Sequence, residues 1–307
     1  MSDVTVPRPR KPRWGAILKR YKREVTPSKK TADLEGDRID VLLRDKALMD
    51  LKAAALTGSI LAEWRDRRLE KVSGGTVNRE IDIISHAINV ARKEWKIHID
   101  NPVQLIRRPP KSKARDRRLL PGEEAVLLAA MDGDARRPDG TFRQVARNYW
   151  IKSIVLLAIE PAMRRGELPS LRWENVDLER RTAYLPDTKN GEARNVPLST
   201  RAVAVLEALP RAITGQVFPV SENAFKLAFD RSVRRARRTY LKEAGDNADP
   251  RFMVGLRFHD LRHEATSRLA ERLPNVIELA AVTGHKDLRM LKRYYHPSAE
   301  DLARKLG

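Results

Sequence analysis

The chain has 307 residues, of which 41% are hydrophobic, so it is long enough for two domains with ordinary apolar cores and is not a disordered protein. Lysine and arginine number 61 against 41 aspartate and glutamate, and the net charge of +20 favours a polyanionic partner, usually nucleic acid. Cysteine is absent, which excludes a disulfide framework, a thiolate nucleophile and a cysteine-based zinc site.

The first 13 residues are predicted to form a flexible basic tail that prolines interrupt. A solvated terminus and a DNA-contacting arm fit this composition equally well. The tail lacks the apolar core of a signal peptide, and no later segment is long and apolar enough to span a membrane. We therefore expect a cytoplasmic protein without a membrane partner.

Residues 14–106 are predicted to form an all-α bundle of four helices, because apolar residues recur there at helical spacing. Thr57 and Thr76 are predicted to cap two of these helices. Trp64 and Trp95 lie on apolar stripes, so we interpret both as core residues rather than base-stacking groups. The intervening arginines fit either a solvated face or a phosphate-binding face.

Residues 107–118 are rich in arginine, lysine and proline and are predicted to link two domains. Two basic domains joined by so cationic a segment repel one another, and a DNA backbone passing between them relieves that repulsion. The linker therefore indicates a clamp on double-stranded DNA.

The second domain, residues 119–307, begins with a helix predicted near residues 121–131. The nearly uniform apolar character of residues 149–159 predicts a buried helix, which Pro161 ends. A further short helix is then predicted to begin at Arg164.

Two strands are predicted at residues 182–185 and 193–198, because the Asn190-Gly191 pair between them favours a type I′ hairpin. Lys189 immediately precedes this turn. In isolation, a lysine at a hairpin tip is usually a solvent-facing group.

Helices are predicted at residues 201–209 and 222–238, and another begins at Phe258. In this last helix His259 and Arg262 are three residues apart and share a face that is not the apolar one. A basic segment predicted to be helical follows and carries a tyrosine nine residues after a histidine. A phenol in such surroundings indicates a nucleophile for an anionic substrate.

Each motif is weak alone, but their order within one basic domain is specific. The motifs are Ala162-Met163-Arg164-Arg165-Gly166-Glu167-Leu168 with Leu171-Arg172-Trp173, Thr188-Lys189-Asn190-Gly191, His259-Asp260-Leu261-Arg262-His263, Gly284-His285 and Arg293-Tyr294. The second domain thereby resembles the catalytic domain of the tyrosine recombinases, the phage integrase family. The helical first domain looks like the family's SAM-like core-binding domain. The resemblance implies a mostly α fold whose α+β catalytic domain contains a small sheet.

The resemblance also implies a role for each residue of the site. Tyr294 would be the nucleophile, and Arg164 and Arg262 would bind the scissile phosphate. Lys189 would be the general acid, and His259 would assist as acid or base. His285 would hydrogen-bond a phosphate oxygen. Guanidinium groups suit the non-bridging oxygens of a pentacoordinate transition state. An ammonium group near the leaving 5′ oxygen supplies the proton that its departure requires.

The implied activity is site-specific DNA recombination through a 3′-phosphotyrosyl intermediate, for integration or excision of a mobile element. One phosphodiester is exchanged for one phosphotyrosine, so neither ATP nor another cofactor is needed. The family further implies a homotetramer on two synapsed sites in the nucleoid, with an accessory DNA-bending or excision factor in some systems.

The chain departs from the usual family pattern at Pro161-Ala162, where Thr-Gly is common, and Pro169 lies inside the predicted short helix. Tyr295 competes with Tyr294 for the role of nucleophile, and the spacing from the preceding histidine favours Tyr294. Glu167 is interpreted as a residue that orients an arginine or caps its helix, rather than one that performs chemistry.

Three other functions fit part of the pattern. A type IB topoisomerase shares the active-site logic, and a non-catalytic DNA-binding protein shares the charge and the bundle. A metal-dependent nuclease would use His259 and His263, whose i, i+4 spacing suits zinc, but no third ligand is evident nearby. Otherwise His263 is expected to have a supporting or structural role.

Overall fold

A computed structural model describes most of the chain. Its described ranges are 12–110, 115–132, 149–187, 193–295 and 299–306. The chain divides into two compact units, residues 1–114 and residues 115–307. Most of the basic tail, Lys189 and the Asn190-Gly191 turn lie outside the described residues.

The first unit is helical, as predicted, but its described residues form five α-helices rather than four, because the short helix α3 was not predicted. Its α-helices are α1 (Trp14–Glu24), α2 (Ala32–Leu43), α3 (Lys46–Met49), α4 (Gly58–Leu69) and α5 (Gly74–Lys93). Trp64 lies in the core of this unit, which confirms its predicted burial. Trp95 is half-buried beyond the end of α5, where the guanidinium carbon of Arg20 lies 4.2 Å from its ring centroid.

One of the two predicted helix caps in this unit is correct. The Thr57 hydroxyl accepts the backbone N–H of Ile60 at the start of α4. The prediction that Thr76 opens the next helix is wrong, because α5 begins at Gly74 and the Ser73 hydroxyl accepts the N–H of Thr76. A serine three residues earlier supplies the same capping group, so the helix begins there.

The second unit is mostly helical with one small sheet, which confirms the predicted fold class. Its elements are α6 (Glu123–Ala129), α7 (Ile151–Ile159), β1 (Val176–Asp177), β2 (Thr182–Leu185), β3 (Arg194–Pro197), α8 (Thr200–Glu207), α9 (Glu222–Ala244), α10 (Phe258–Arg272), α11 (Val276–Thr283) and α12 (Ala299–Leu306). The strands follow the order β1-β2-β3 and pair antiparallel, with Thr182 opposite Pro197. β1 was not predicted.

The apolar helix α7 is the centre of this unit, as its composition predicts. It packs against α8, α9 and α10. Leu157 of α7 and Phe225 of α9 belong to the same buried apolar cluster. Among the described residues, no helix is both long enough and apolar enough to cross a bilayer.

Two predictions for this unit are wrong. Residues 165–170 form turns rather than a short helix, so Pro169 removes no helical hydrogen bond. Tyr294 lies in a turn that follows the 3₁₀ helix Leu288–Met290, and not in a regular helix. The α-helix α11 already ends at Thr283, and the residue that caps it, Gly284, has a left-handed φ of 68° that suits a helix C-terminus.

Candidate active site

Three arginines gather at the carboxyl end of α11. The last carbonyls of a helix lack intrahelical partners and carry partial negative charge, so they attract cations. Each of three successive carbonyls accepts a guanidinium N–H: Val282 from Arg194 at 2.5 Å, Thr283 from Arg262 at 2.6 Å, and Gly284 from Arg164 at 2.6 Å. Residues that are far apart in sequence thereby form one cationic cluster.

Glu167 holds two of these arginines together. Its Oε1 accepts Arg164 Nη1 at 2.8 Å, and its Oε2 accepts Arg194 Nη2 at 2.8 Å and the Arg164 backbone N–H at 2.7 Å. Burial alone would raise the pKa of Glu167, but the charge of Arg194 and the bonds from Arg164 lower it below its usual value. Glu167 therefore contacts an arginine, as its predicted orienting role requires.

Arg262 extends from α10 into the buried side of this cluster and is only 6% exposed. Its Nη1 donates to the carbonyl of Ala162, which adopts a left-handed φ of 52°. A left-handed alanine is strained by roughly 1–2 kcal/mol, and its carbonyl is held by the Arg262 hydrogen bond. Burial and the charge of Arg164 lower the pKa of Arg262 to about 9, so this guanidinium is charged at neutral pH.

Gly284 is required by the close approach of two guanidinium groups. A Cβ at this position would lie 3.0 Å from both Cδ and Nε of Arg194 and 3.3 Å from Nη1 of Arg164. Any side chain would therefore push the two arginines away from the end of α11.

His285 directly follows this glycine, and its Nδ1 lies 2.6 Å from the hydroxyl oxygen of Thr283. Burial and the charges of Arg262, Arg164 and Arg194 lower the pKa of His285 to about 4. The imidazole is therefore neutral at pH 7. The Thr283 hydroxyl donates its proton to the carbonyl of Leu279, so Nδ1 of His285 carries the ring proton and donates it to Thr283, while Nε2 has a lone pair.

The Tyr294 hydroxyl is hydrogen-bonded to Nδ1 of His263 on α10. Burial raises the pKa of Tyr294 against the opposing charges of Arg293 and Arg262, so the phenol is protonated at neutral pH. His259, one turn before His263, is exposed, and the centroids of the two imidazole rings are 5.1 Å apart. The imidazole of His263 therefore lies between the exposed histidine and the phenol.

Arg115 connects the segment that carries Tyr294 to the start of α10. Its Nε and Nη2 donate to the carboxylate of Asp260 at 2.6 and 2.7 Å, and its carbonyl accepts the guanidinium of Arg293. Asp260 also accepts the backbone N–H of Arg257 at 2.7 Å and thereby caps α10. One buried carboxylate thus supports both the helix and the turn next to the phenol.

The sequence predicted six site residues, and the structure brings most of those it describes into one region. Arg164, Arg262 and His285 meet at the end of α11, and the charge of Arg262 acts on Tyr294. His259 lies next to His263 rather than in the arginine cluster, because it occupies the exposed side of α10. Among the described residues, no group of three or more His, Asp or Glu side chains is arranged to hold a metal.

Three residues of this region were missed or given too small a role: Arg194, Arg115 and His263. Arg194 is the first residue of β3, in the predicted hairpin. Its ion pair with Glu167 indicates its role, but the two residues are 27 positions apart in sequence. Arg115 belongs to the run read as a linker. The contact of His263 with Tyr294 joins residues 31 positions apart and has no signal in local spacing.

The two half-buried histidines predict an acid-sensitive fold. The pKa of His263 is lowered to about 4 by burial and the neighbouring charges of His259 and Arg293, and that of His285 is also about 4, against 6.5 in the unfolded chain. Between pH 6.5 and 4 the unfolded chain binds more protons at these positions, so stability falls as the pH falls. After allowance for solvent screening, we expect on the order of 1 kcal/mol per histidine between pH 7 and pH 5.

Urea denaturation at both pH values measures this loss. His285→Asn should reduce the difference between the two pH values, because it removes one titrating group. An equal difference in the parent chain and the variant would contradict the assignment.

Comparisons with known proteins agree with this geometry. The model of the Phage integrase family matches residues 136–301. A shufflon-specific DNA recombinase from Escherichia coli is 38% identical over 310 residues, which cover 98% of this chain and 73% of that protein. A putative integrase/recombinase of Haemophilus influenzae is 32% identical over 294 residues, covering 94% and 88% respectively.

Solved structures share the fold. The Tn1549 transposon integrase, in complex with circular intermediate DNA, has a TM-score of 0.70 at 19% identity and covers 96% of this chain and 99% of that one. A lambda integrase tetramer bound to a Holliday junction has a TM-score of 0.71 at 19% identity, covering 94% and 78%. At this identity the likeness establishes the fold.

Proposed function

This chain belongs to the phage integrase family, and on that premise we propose that it uses Tyr294 to cleave and rejoin DNA at specific sites. The observation that carries the proposal is the convergence of three guanidinium groups and a neutral histidine at the end of α11, within the electrostatic reach of a half-buried phenol. This combination suits a phosphodiester, because cationic donors bind its oxygens while the phenol attacks phosphorus.

Arg164 and Arg262 are proposed to bind the non-bridging oxygens of the scissile phosphate. The carbonyls of α11 and the carboxylate of Glu167 each occupy part of their donor groups. Each guanidinium carries five N–H donors in a fixed plane, so further N–H groups remain for an anion while the protein contacts fix the plane. His285 is proposed to donate an Nε2–H to a phosphate oxygen, because a bound phosphate offsets the arginine charges that disfavour a second proton on its imidazole.

The reaction begins when Tyr294 Oη bonds to phosphorus and the bond from phosphorus to the 5′ oxygen breaks. Lys189 is proposed to protonate this leaving oxygen, with His259 assisting as acid or base. The product is a 3′-phosphotyrosyl link and a free 5′ hydroxyl. Attack by a 5′ hydroxyl from a second duplex then restores the phosphodiester and releases the phenol, so no external energy source enters.

The partner is proposed to be double-stranded DNA. Residues 14–106 would bind the DNA, residues 107–118 would link the domains, and residues 119–307 would carry out catalysis. The Tn1549 and lambda integrases were both solved with DNA, the latter as a tetramer. We extend this to a homotetramer of the present chain on two synapsed sites, in the nucleoid, that integrates or excises a mobile element with an accessory DNA-bending or excision factor.

Recombination is distinguished from relaxation by the products. A plasmid that carries two copies of the target site should yield inverted or excised DNA without ATP, and EDTA should leave the yield unchanged. Relaxed plasmid without recombinants would favour a type IB topoisomerase. Loss of all activity in EDTA would favour a metal-dependent nuclease.

A further inference from the structure

The contact between His263 and Tyr294 is the feature of the site that the proposed roles do not use. The two rings are nearly parallel, with an interplanar angle of 28° and centroids 5.9 Å apart, and Nδ1 of His263 lies within hydrogen-bonding distance of the phenol oxygen. Both side chains are half-buried. The phenol of a nucleophile that must lose a proton is therefore held against a group able to accept one.

Several charged groups surround His263. On α10 they are His259, Asp260 and Arg262, and from the segment that carries the phenol Arg293 also acts on the ring. Burial, His259 and the guanidinium groups of Arg293 and Arg262 lower the pKa of this imidazole, while the carboxylate of Asp260 opposes them. Consequently the ring is neutral at pH 7, and one of its two nitrogens has a free lone pair. When the ring proton is on Nε2, the lone pair on Nδ1 accepts the hydrogen bond that the Tyr294 hydroxyl donates.

We propose that Nδ1 of His263 accepts the phenolic proton of Tyr294 when the phenol attacks the scissile phosphate, which makes His263 a catalytic residue. The proposal rests on the proposed function. It assigns the phenolic proton to His263, which contacts Tyr294, rather than to the exposed His259.

The proton balance of both steps is closed. In cleavage, the Tyr294 oxygen bonds to phosphorus, its proton moves to His263, and the 5′ oxygen leaves with a proton from Lys189. In rejoining, the incoming 5′ hydroxyl returns its proton to Lys189, and the His263 imidazolium protonates the departing phenolate. The two side chains end in their starting states, so no other reactant is required.

Bound DNA would strengthen this base. Arg262 is one of the cations that disfavour a proton on His263. A phosphate that binds Arg262 offsets its charge and makes protonation of the imidazole easier. Proton transfer is therefore expected together with attack on bound phosphate, and not in the free protein, where the phenol stays protonated.

The test uses single-turnover cleavage of a nicked suicide duplex that contains the mapped crossover site. His263→Ala removes the hydrogen bond and the base. His263→Asn places an amide oxygen close to the position of Nδ1, so it accepts the hydrogen bond but no proton. We expect both variants to cleave about 10²- to 10⁴-fold more slowly than the parent chain, with a rate that rises with pH through the neutral range.

A duplex with sulfur in place of the bridging 5′ oxygen separates the base from the acid. A thiolate leaves without prior protonation, so the sulfur should rescue Lys189→Ala but not either His263 variant. Glu207→Ala, which changes an exposed side chain at the end of α8 and away from the site, is the control and should cleave at the parent rate. Thermal melting and binding of the intact duplex verify that each variant is folded.

Three results would overturn the proposal: cleavage by His263→Ala at the parent rate, full activity of His263→Asn beside a slow His263→Ala, or rescue of both variants by sulfur. The second result would indicate positioning alone, and the third an acid role. None of them affects the assignment of Tyr294, which is tested separately through its covalent adduct.

Discussion

Tyr294→Phe is expected to bind the target duplex with the affinity of the parent chain but to form no covalent protein–DNA adduct. The substitution removes only the phenol oxygen, which is the attacking atom in the proposed reaction, and leaves the arginine cluster at the end of α11 unchanged. The loss of the hydrogen bond to His263 should reduce the free energy of unfolding by only about 1 kcal/mol. Denaturing gel electrophoresis after incubation with a nicked suicide duplex measures the adduct.

Tyr295→Phe is the matched control, because it removes the same atom from the adjacent half-buried tyrosine. This variant should form adduct at the parent rate. Adduct formation by Tyr294→Phe, or its loss in Tyr295→Phe alone, would transfer the role of nucleophile to the neighbouring residue.

Glu167→Ala should have the largest effect on stability among the substitutions considered. The carboxylate is 4% exposed and binds Arg164 and Arg194, whose side chains are 18% and 11% exposed. Its removal leaves the two largely buried guanidinium groups of Arg164 and Arg194 without their counter-charge. The guanidinium group of Arg262 lies near them and adds to the repulsion. Breaking a buried ion pair by removing one partner typically destabilises a protein by about 3–5 kcal/mol, and we expect a loss in this range.

Urea denaturation measures the effect, and Glu222→Ala is the control. Glu222 pairs with Arg165, and both side chains are more than 40% exposed, so its removal should change stability by less than about 1 kcal/mol. Because DNA phosphates can replace part of the missing negative charge, target DNA should raise the melting temperature of Glu167→Ala more than that of the parent chain. Equal stabilities of the two variants would contradict the role assigned to Glu167.

The regular elements were predictable where a single local pattern determines them. The nearly uniform apolar run predicted α7, and the Asn190-Gly191 signal predicted β2 and β3; all three are present close to their predicted bounds. Errors occurred where two local solutions compete. Ser73 and Thr76 can both cap a helix, and the segment after Arg164 was predicted as a helix although turns form there.

The site was predictable only in part, because its geometry depends on tertiary contacts. Arg164 and Arg262 were identified through their motifs, but nothing in the sequence shows that both donate to the carboxyl end of α11. Arg194, on strand β3, completes this cluster, and its position depends on its ion pair with Glu167. The predicted role of Lys189 remains a prediction, because it lies outside the described residues.

The chemical nature of the protein–DNA bond tests the central claim most directly. After incubation with a suicide duplex, protease digestion and mass spectrometry of the adduct identify both the modified residue and the DNA end. We predict a 3′-phosphate linked to Tyr294, opposite a free 5′ hydroxyl, in a single position of the target site. A link to another residue, attachment to a 5′-phosphate, or cleavage without any covalent bond would contradict the proposed mechanism.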